Sequence, residues 1–387
     1  MVQTKILLVV SYYHPYNSGV TEYVKRLAEG LVSKGHDVTI LTSRHTNIPS
    51  EEVIGGVRVK RLPVLFKMSK GVFKPTLLPT LWMMSKDFDI VNIHVPLPEV
   101  GFCTLLSRNK NIVVTYHCDL ELHHGLLETL IESLYYRSLA IAMPRTKKIV
   151  VNDMEYALNS RIRDYKEKIV EIYPPIQPYC RKNPADFRSK YGIKAGEVVV
   201  GFLGRLVYEK GLKHLVQAIP FVMERMPNIR FIIAGEGEEI AGGRRHSVKE
   251  ELIIMTSKFK DKVLFPGFLP KGEIEDFYSA CDVLVLPSTA ALESFGMVQV
   301  EAMLCGTPVV ATDRPGVKIP VEKTRMGILV PPKDDWKLAE AIVYALKNKD
   351  RFTRPREEIL QLFSIEKTIN SYEKLFLETK QLKENEL

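Results

Sequence analysis

Apolar runs and helical stripes alternate along the chain. Residues 5–10 form a continuous apolar run, as expected for a strand that is buried on both faces of a sheet. Apolar residues then recur at helical spacing from Val20 to Val32, Gly35 ends this helix, and residues 37–42 are the next strand. Because a strand, a helix and a strand in succession form a βαβ unit, the pattern predicts a parallel sheet. Further strands of this half are predicted at residues 90–94, 112–116, 148–152 and 169–173.

A proline-rich stretch at residues 173–184 is predicted to be a linker, because the alternation restarts beyond it. The second half has strands at residues 198–202, 230–234, 263–265, 283–286 and 309–311, with helices between them. The chain length of 387 residues suits two domains of ordinary size. We therefore predict two doubly wound, Rossmann-like α/β domains with a cleft between them. In such sheets, ligands bind beyond the carboxyl ends of the strands.

The last helix carries an apolar stripe at residues 365–376, which has to pack against another part of the protein. The first domain is a candidate. The predicted domains are therefore residues 1–175 with 365–387, and residues 180–364.

The net charge of +8 is partly local, since seven cations and no acid occur between Val53 and Lys86. Apolar residues interleave with these cations, and such a mixture can hold an anionic membrane surface. Peripheral membrane contact through residues 57–86 is one interpretation, and a solvated basic face beside ordinary core residues is the other. No nucleic-acid partner is expected, because no recognition motif accompanies the charge.

The five cysteines are scattered, and none forms a CxxC pair. Their odd number in a large chain favours a reduced, cytoplasmic compartment. The first apolar run is too short for a signal-peptide core, and no apolar run reaches the roughly 18 residues of a spanning helix. We expect a cytoplasmic protein, peripheral on the inner face of the membrane if the basic segment binds lipid.

Two cations follow the first strand of the second half. The strand ends at Gly204, Arg205 comes next, and Lys210 and Gly211 lead into a helix. Arginine pairs with phosphate oxygens bidentately and lysine supplies a point charge, so the arrangement suits a diphosphate. Two surface cations near a tight turn are the alternative.

A second candidate lies after the strand at residues 283–286. Glu293 and Gly296 occupy a loop, and a helix begins near Met297. The free amides of Met297 and Val298 at the positive helix end could receive an anion. Glu301 lies one turn into the helix and could reach a ribose. The alternatives are a helix-cap partner for Glu293 and a solvated helix face for Glu301.

The first domain offers weaker signals. The amides of the Asn17–Val20 junction before the first helix can also take phosphate, and His117 follows the strand at residues 112–116. A lone histidine is more often structural. His123 and His124 suggest a metal site, but there is no HExxH and no third ligand at useful spacing, so no metal is expected. The loops around Gly235 and at Gly267 and Phe268 could hold a base or be generic turns.

Together these residues resemble the retaining GT-B glycosyltransferases of family 4. The matching motifs follow the family's order along most of the chain: residues 17–20, 115–117, 204–205 with 209–211, 293–296 through 301–303, and 306–311. The resemblance implies a hexosyltransferase that takes a UDP- or GDP-hexose and acts on a lipid or saccharide acceptor. It also implies that no divalent metal or other cofactor is required, and that the C-terminal helix returns to the N-terminal domain.

The resemblance also assigns roles. Arg205 and Lys210 would hold the donor diphosphate, Glu293 the donor-sugar hydroxyls, Glu301 the ribose, and His117 the transferred sugar near the reacting carbon. The amides of Phe295, Gly296, Met297 and Val298 would contact sugar and phosphate, Gly19 would approach the diphosphate, and Gly267 and Phe268 would frame the base.

Two other classes stay open. An NAD(P)-dependent oxidoreductase would share the Rossmann-like halves, but the GxGxxG fingerprint that it predicts does not occur. A non-catalytic nucleotide-sugar-binding protein would keep the fold and lose one of the cations or glutamates, and all four are present.

Overall fold

The structure is a computed structural model that describes residues 3–44, 48–68, 71–122, 125–237, 247–290 and 292–381. The chain divides into two compact units, of which unit 1 comprises Met1–Pro175 with Ile365–Leu387 and unit 2 comprises Ile176–Ser364. Each unit is an α/β layer structure around its own parallel sheet.

Unit 1 alternates strands and helices as the apolar pattern predicted. Its elements up to the linker are β1 (Lys5–Val9), α1 (Gly19–Ser33), β2 (Asp37–Arg44), β3 (Glu51–Ile54), β4 (Val57–Pro63), β5 (Phe66–Met68), β6 (Gly71–Phe73), α2 (Leu77–Met84), β7 (Ile90–Val95), α3 (Val100–Leu106), β8 (Ile112–Tyr116), α4 (Leu126–Arg145), β9 (Lys148–Val151), α5 (Met154–Leu158) and β10 (Ile169–Glu171).

The eight-stranded sheet of unit 1 has the order β10-β9-β8-β7-β1-β2-β4-β3. All neighbours pair in parallel except β3 and β4, and every residue of β7 and β8 is buried. The chain runs from β1 outward on one side and then returns to β7 on the other side of β1. The loops after β1 and β7 therefore leave the sheet at a topological switch point, where α/β proteins bind ligands.

The basic segment at residues 57–86 exposes only some of its cations. Its first part is β4, which alternates buried and exposed residues within the main sheet. Arg61 and Lys74 are each only 2% exposed. Carboxylates of both neighbouring strands lie beside these cations, from Glu51 and Glu52 of the antiparallel β3 and from Asp37 of the parallel β2. The resulting ion pairs are Arg58 with Asp37, Lys60 with Glu51, and Arg61 with Glu52.

Unit 2 repeats the design with a smaller sheet. Its elements are α6 (Ala185–Lys190), β11 (Val198–Leu203), α7 (Leu212–Arg225), β12 (Ile229–Ala234), α8 (Val248–Met255), β13 (Val263–Gly267), α9 (Lys271–Ala280), β14 (Val283–Leu286), α10 (Met297–Leu304), β15 (Val309–Thr312), α11 (Ile319–Thr324), β16 (Gly327–Val330), α12 (Asp335–Lys347) and α13 (Arg356–Leu362). The parallel order is β13-β12-β11-β14-β15-β16, so the switch point lies between β11 and β14.

The last helix, α14 (Ile365–Gln381), packs on α1 of unit 1, as the resemblance implied. Ile369 fills the space beside Gly30, where a Cβ would collide with its side chain. The hydroxyls of Tyr372 and Tyr23 form a hydrogen bond of 2.8 Å inside the core. At the edge of the core, the Glu373 carboxylate pairs with Lys34 and His36. The apolar stripe of this helix thus completes the core of unit 1.

Candidate functional site

The loop after β11 in unit 2 is held tightly against the loop after β14. Gly211 has a positive φ of 67°, and a Cβ there would collide with the carbonyl oxygen of Pro287. The Thr289 amide donates a hydrogen bond to the Glu209 carbonyl at 2.9 Å. Because both loops leave the sheet at its switch point, their side chains are directed to one region of unit 2.

These loops bring two of the predicted residues into direct contact. The Lys210 ammonium donates to the Glu293 carboxylate, and the two side chains are 21% and 17% exposed. Arg205 lies at the start of the same β11 loop and is partly buried. An ammonium has three protons, so Lys210 can contact Glu293 and a phosphate oxygen at the same time. Lys210 thus has a defined partner in Glu293, and its contact with a diphosphate stays a prediction.

The start of α10 has no side-chain cap. Gly296, at φ 76°, precedes the helix and provides no side-chain cap, so the amides of Met297 and Val298 are left without helical acceptors. Phe295 is buried against Phe363, with ring centroids 5.6 Å apart, and this contact fixes the entry into the helix. Half-buried amides at a positive helix end favour an anion such as a phosphate.

Glu301 lies in the protein interior, not on a solvated helix face. Its side chain is 5% exposed, and the Tyr278 hydroxyl of α9 donates to Oε2 at 3.0 Å. Burial and the Glu301 charge raise the pKa of Tyr278 well above its usual range, so the phenol remains a donor. No spacing rule in the sequence indicated Tyr278, which lies 23 residues earlier on another helix.

Gly267 and Phe268 lie at the same carboxyl edge of the sheet. Gly267 ends β13, which is two strands away from β11, and its carbonyl accepts the Gly235 amide at 2.8 Å. Phe268 is 54% exposed. The structure places these residues beside the β12 loop, which ties them to the sheet edge that also carries Arg205.

His117 of unit 1 is not alone. It follows β8 directly, and its Nε2 lies 2.9 Å from Nδ1 of His94, a residue of β7. Both histidines are buried, and burial lowers the pKa of His117 to about 3 and that of His94 well below its usual value. The edge of the Tyr23 ring faces His117, with centroids 4.8 Å apart. Sequence reasoning missed His94 because it lies within a strand that reads as apolar.

The predicted phosphate-binding junction of unit 1 is a capped helix start. Gly19 begins α1, and the Ser18 hydroxyl accepts the Thr21 amide at 3.2 Å while the Thr21 hydroxyl accepts the Ser18 amide at 2.7 Å. This reciprocal cap satisfies the amide of Thr21 and leaves those of Gly19 and Val20 ahead of the first helical bond.

Among the residues that the structure describes, no group of three or more histidine, cysteine or acidic side chains could hold a metal ion. His123 and His124 lie outside the described residues. Within the residues that the structure describes, no helix is both long enough and apolar enough to cross a membrane.

Comparison with known proteins identifies the family. Residues 17–178 match the family described as Glycosyltransferase Family 4, and residues 184–360 match Glycosyl transferases group 1. An uncharacterised glycosyltransferase of Methanocaldococcus jannaschii is 26% identical over 357 residues, covering 87% of both chains. The phosphatidyl-myo-inositol mannosyltransferase of Mycolicibacterium smegmatis is 28% identical over 358 residues, which cover 89% of this chain and 85% of that protein.

The fold is shared with solved glycosyltransferases. The crystal structure of the Anabaena protein HepE in complex with UDP and glucose has a TM-score of 0.76 and 19% identity, and the match covers 96% of this chain and 99% of HepE. These matches favour a glycosyltransferase over an oxidoreductase or a non-catalytic binding protein. The chain is a hexosyltransferase of the GT-B fold and belongs to the glycosyltransferases described by the family 4 and group 1 matches.

Proposed function

We propose that this enzyme transfers a hexose from a UDP- or GDP-sugar to a lipid or saccharide acceptor, with retention of anomeric configuration. The observation that carries the proposal is the meeting of Lys210, Glu293 and the start of α10 at the switch point of unit 2. A relative that was solved with UDP and glucose supports a nucleotide-sugar donor.

The chemistry follows from the charge that develops on the leaving diphosphate. Arg205, Lys210 and the amides of α10 would stabilise that charge more strongly in the transition state than in the ground state. No protein nucleophile is needed. Glu293 would hold Lys210 in place while contacting donor-sugar hydroxyls, and His117 would contact the transferred sugar.

The ribose end of the donor would be held by Glu301. Its carboxylate can accept hydrogen bonds from two vicinal hydroxyls, and the Tyr278 hydroxyl already occupies one side of Oε2. Gly267 and Phe268 would frame the base, and Gly19 would contact the diphosphate. The donor requires no metal in this scheme, because protein cations and amides supply the positive charge.

For the acceptor side we propose contact with an anionic lipid surface, which would make the enzyme cytoplasmic and peripheral. One relative is named for its action on phosphatidyl-myo-inositol. Three neighbouring helices of unit 1 expose large apolar side chains, while α3 turns Gly101 toward Ser138 of α4 on its other side. This exposed set, called the apolar face below, consists of Trp82, Met83, Phe102, Leu105, Leu106, Leu126, Leu127, Leu130 and Leu134.

The apolar face revises the predicted membrane contact at residues 57–86. From that segment only Trp82 and Met83 belong to it, and the buried Arg61 and Lys74 cannot meet lipid. Exposed cations accompany the face instead, including Arg108, whose guanidinium lies 5.1 Å from the Trp82 ring. Apolar side chains bordered by cations suit an interface with anionic headgroups.

Nucleotide screening tests the donor assignment. Thermal stabilisation of the purified protein by UDP or by GDP would identify the donor base, and Glu301→Ala should weaken binding of the stabilising nucleotide in calorimetry. An unchanged affinity in Glu301→Ala would remove the ribose assignment, and stabilisation by neither nucleotide would contradict the donor class.

Vesicle sedimentation tests the membrane assignment. Binding to vesicles that contain phosphatidylglycerol should exceed binding to pure phosphatidylcholine, and the double change Leu130→Glu with Leu134→Glu should abolish it. Ile254→Glu is a matched control, since Ile254 is an exposed apolar residue of α8 in unit 2. Equal sedimentation of all three proteins would reject the apolar face as the contact.

A further inference from the structure

The two buried histidines of unit 1 share one proton position. His94 Nδ1 and His117 Nε2 face each other at 2.9 Å, and their rings stack with centroids 5.2 Å apart. We propose that His94 is a positioning residue that fixes the tautomer of His117, so that His117 presents a protonated Nδ1 as a hydrogen-bond donor. The use of this donor in catalysis rests on the proposed function, whereas the tautomer itself does not.

Both rings are neutral, which makes the proton count definite. Burial lowers the pKa of His117 to about 3, and burial together with His117 lowers that of His94 well below its usual value. A neutral imidazole carries one proton on its two nitrogens. Hence one nitrogen of the facing pair carries the proton between the rings, and the other accepts it.

The surroundings of His94 decide which nitrogen is the donor. Within the described residues, its second nitrogen, Nε2, is buried without a hydrogen-bond partner. If His117 donated through Nε2, His94 would have to carry its own proton on this partnerless Nε2. An orphaned buried N–H is rarer in proteins than an orphaned acceptor. The favoured arrangement therefore has His94 donating through Nδ1, with a lone pair on its Nε2.

The rings are held in this orientation by rigid elements. β7 and β8 are paired in parallel, with His94 opposite Thr115, and the His117 amide donates to the Val95 carbonyl at 3.1 Å. The Tyr23 ring from α1 closes one side of the His117 ring. Because the backbone and the ring of His117 are both fixed, only the position of its proton is left to be determined, and we assign that to His94.

A donor at His117 matches the ligand that the proposed function supplies. Hydroxyl and phosphate oxygens of a sugar nucleotide accept hydrogen bonds, while a lone pair on Nδ1 would repel phosphate oxygens. A neutral donor orients its ligand without adding charge. The charge of the diphosphate would then be balanced by Arg205 and Lys210 of unit 2.

The tautomer can be read in the unmodified protein. Nitrogen NMR of ¹⁵N-histidine-labelled enzyme distinguishes a protonated from an unprotonated ring nitrogen, and His94→Asn and His117→Asn spectra assign the signals. We expect a protonated Nδ1 and an unprotonated Nε2 for His117. A proton on Nε2 of His117 in the wild-type protein overturns the proposal.

Two substitutions then test the positioning role. In His94→Asn the amide nitrogen is as many bonds from Cα as Nδ1, so it can still donate to His117, whereas His94→Leu cannot. We expect His94→Leu to lower kcat at least tenfold with little change in donor KM, and His94→Asn to restore most of it. His214→Asn is the control, because His214 pairs with Asp335 in unit 2.

The outcomes separate the two levels of the argument. Equal activity of His94→Leu and His94→Asn, or an unchanged His117 tautomer in His94→Leu, contradicts the positioning role. Full activity in His117→Ala contradicts instead the proposed contact of His117 with the sugar, while the tautomer seen by NMR would stand.

Discussion

The two candidate regions use opposite electrostatics. In unit 2, Lys210 and Glu293 form an ion pair whose side chains stay about one-fifth exposed. In unit 1, His94 and His117 are buried and neutral. A diphosphate is bound by positive charge. When no donor is bound, these cations have to be paired or solvated, because a buried unpaired cation would be too costly. A sugar hydroxyl needs only a fixed direction, which a buried neutral pair supplies.

The largest effect that we expect is a loss of folding stability in acid, caused by the buried neutral histidines of unit 1. Burial lowers the pKa of His117 to about 3 and that of His94 well below its usual value, but both histidines take a proton near pH 6.5 when the protein is unfolded. The unfolded state therefore binds more protons in this window, and stability falls as the pH is lowered. From pH 6.5 to 5 His117 alone should cost about 2 kcal/mol of unfolding free energy. Urea unfolding at pH 7 and pH 5 measures the loss.

The variant His117→Asn provides the comparison for the acid experiment. It removes one of the two depressed groups, so its unfolding free energy should depend less steeply on pH between 6.5 and 5. Identical pH slopes for wild type and His117→Asn would show that this histidine does not stay neutral in the folded protein.

Removal of the Lys210 charge in unit 2 should have the next largest effect. Lys210→Ala deletes a cation from the diphosphate and leaves Glu293 without its partner. We expect turnover to fall at least about tenfold, which corresponds to about 1.4 kcal/mol. Lys213→Ala is a matched control, since Lys213 is an exposed lysine on the first turn of α7. Near wild-type turnover in Lys210→Ala would reject its assignment.

The fold could be predicted because parallel strands buried on both faces leave continuous apolar runs. β1, β8 and β14 were found within one residue of their bounds for this reason. The elements that were missed are of another kind. β4 alternates apolar with charged residues, so composition suggested a basic surface, and only its pairing with β2 and β3 reveals Asp37 and Glu51 as the partners of Arg58 and Lys60.

The candidate site divides in the same way. Charged residues next to glycine turns, such as Lys210 and Glu293, could be predicted because strand ends and helix starts place them at the sheet edge. Tyr278 and His94 could not, because a buried polar side chain inside a helix or strand has the same periodicity as core. Their importance lies in contacts across the fold, to Glu301 and His117.

A smaller effect should come from Tyr278, which is a buried partner of Glu301 in unit 2. Tyr278→Phe removes the hydroxyl that holds Glu301 and should weaken binding of the stabilising nucleotide about fivefold, near 1 kcal/mol. The loss should vanish for the 2′,3′-dideoxy analogue, which lacks the hydroxyls that Glu301 would bind. Calorimetry measures both ligands, with Tyr344→Phe as an exposed tyrosine control. Equal losses for both ligands would place the effect elsewhere than at the ribose.

The smallest effect that we expect is a difference between the two regions in their dependence on salt. The screening length falls from about 10 Å at 0.1 M salt to about 3 Å at 1 M, and partly exposed charges are the ones that it weakens. Nucleotide affinity, which we assign to Arg205 and Lys210, should therefore drop a few-fold over this range. The factor by which His117→Ala lowers turnover should stay the same within twofold, because a buried neutral donor has no charge to screen. If that factor shrank with salt as much as nucleotide affinity did, His117 would be acting as a cation, and the contrast between the two regions would be wrong.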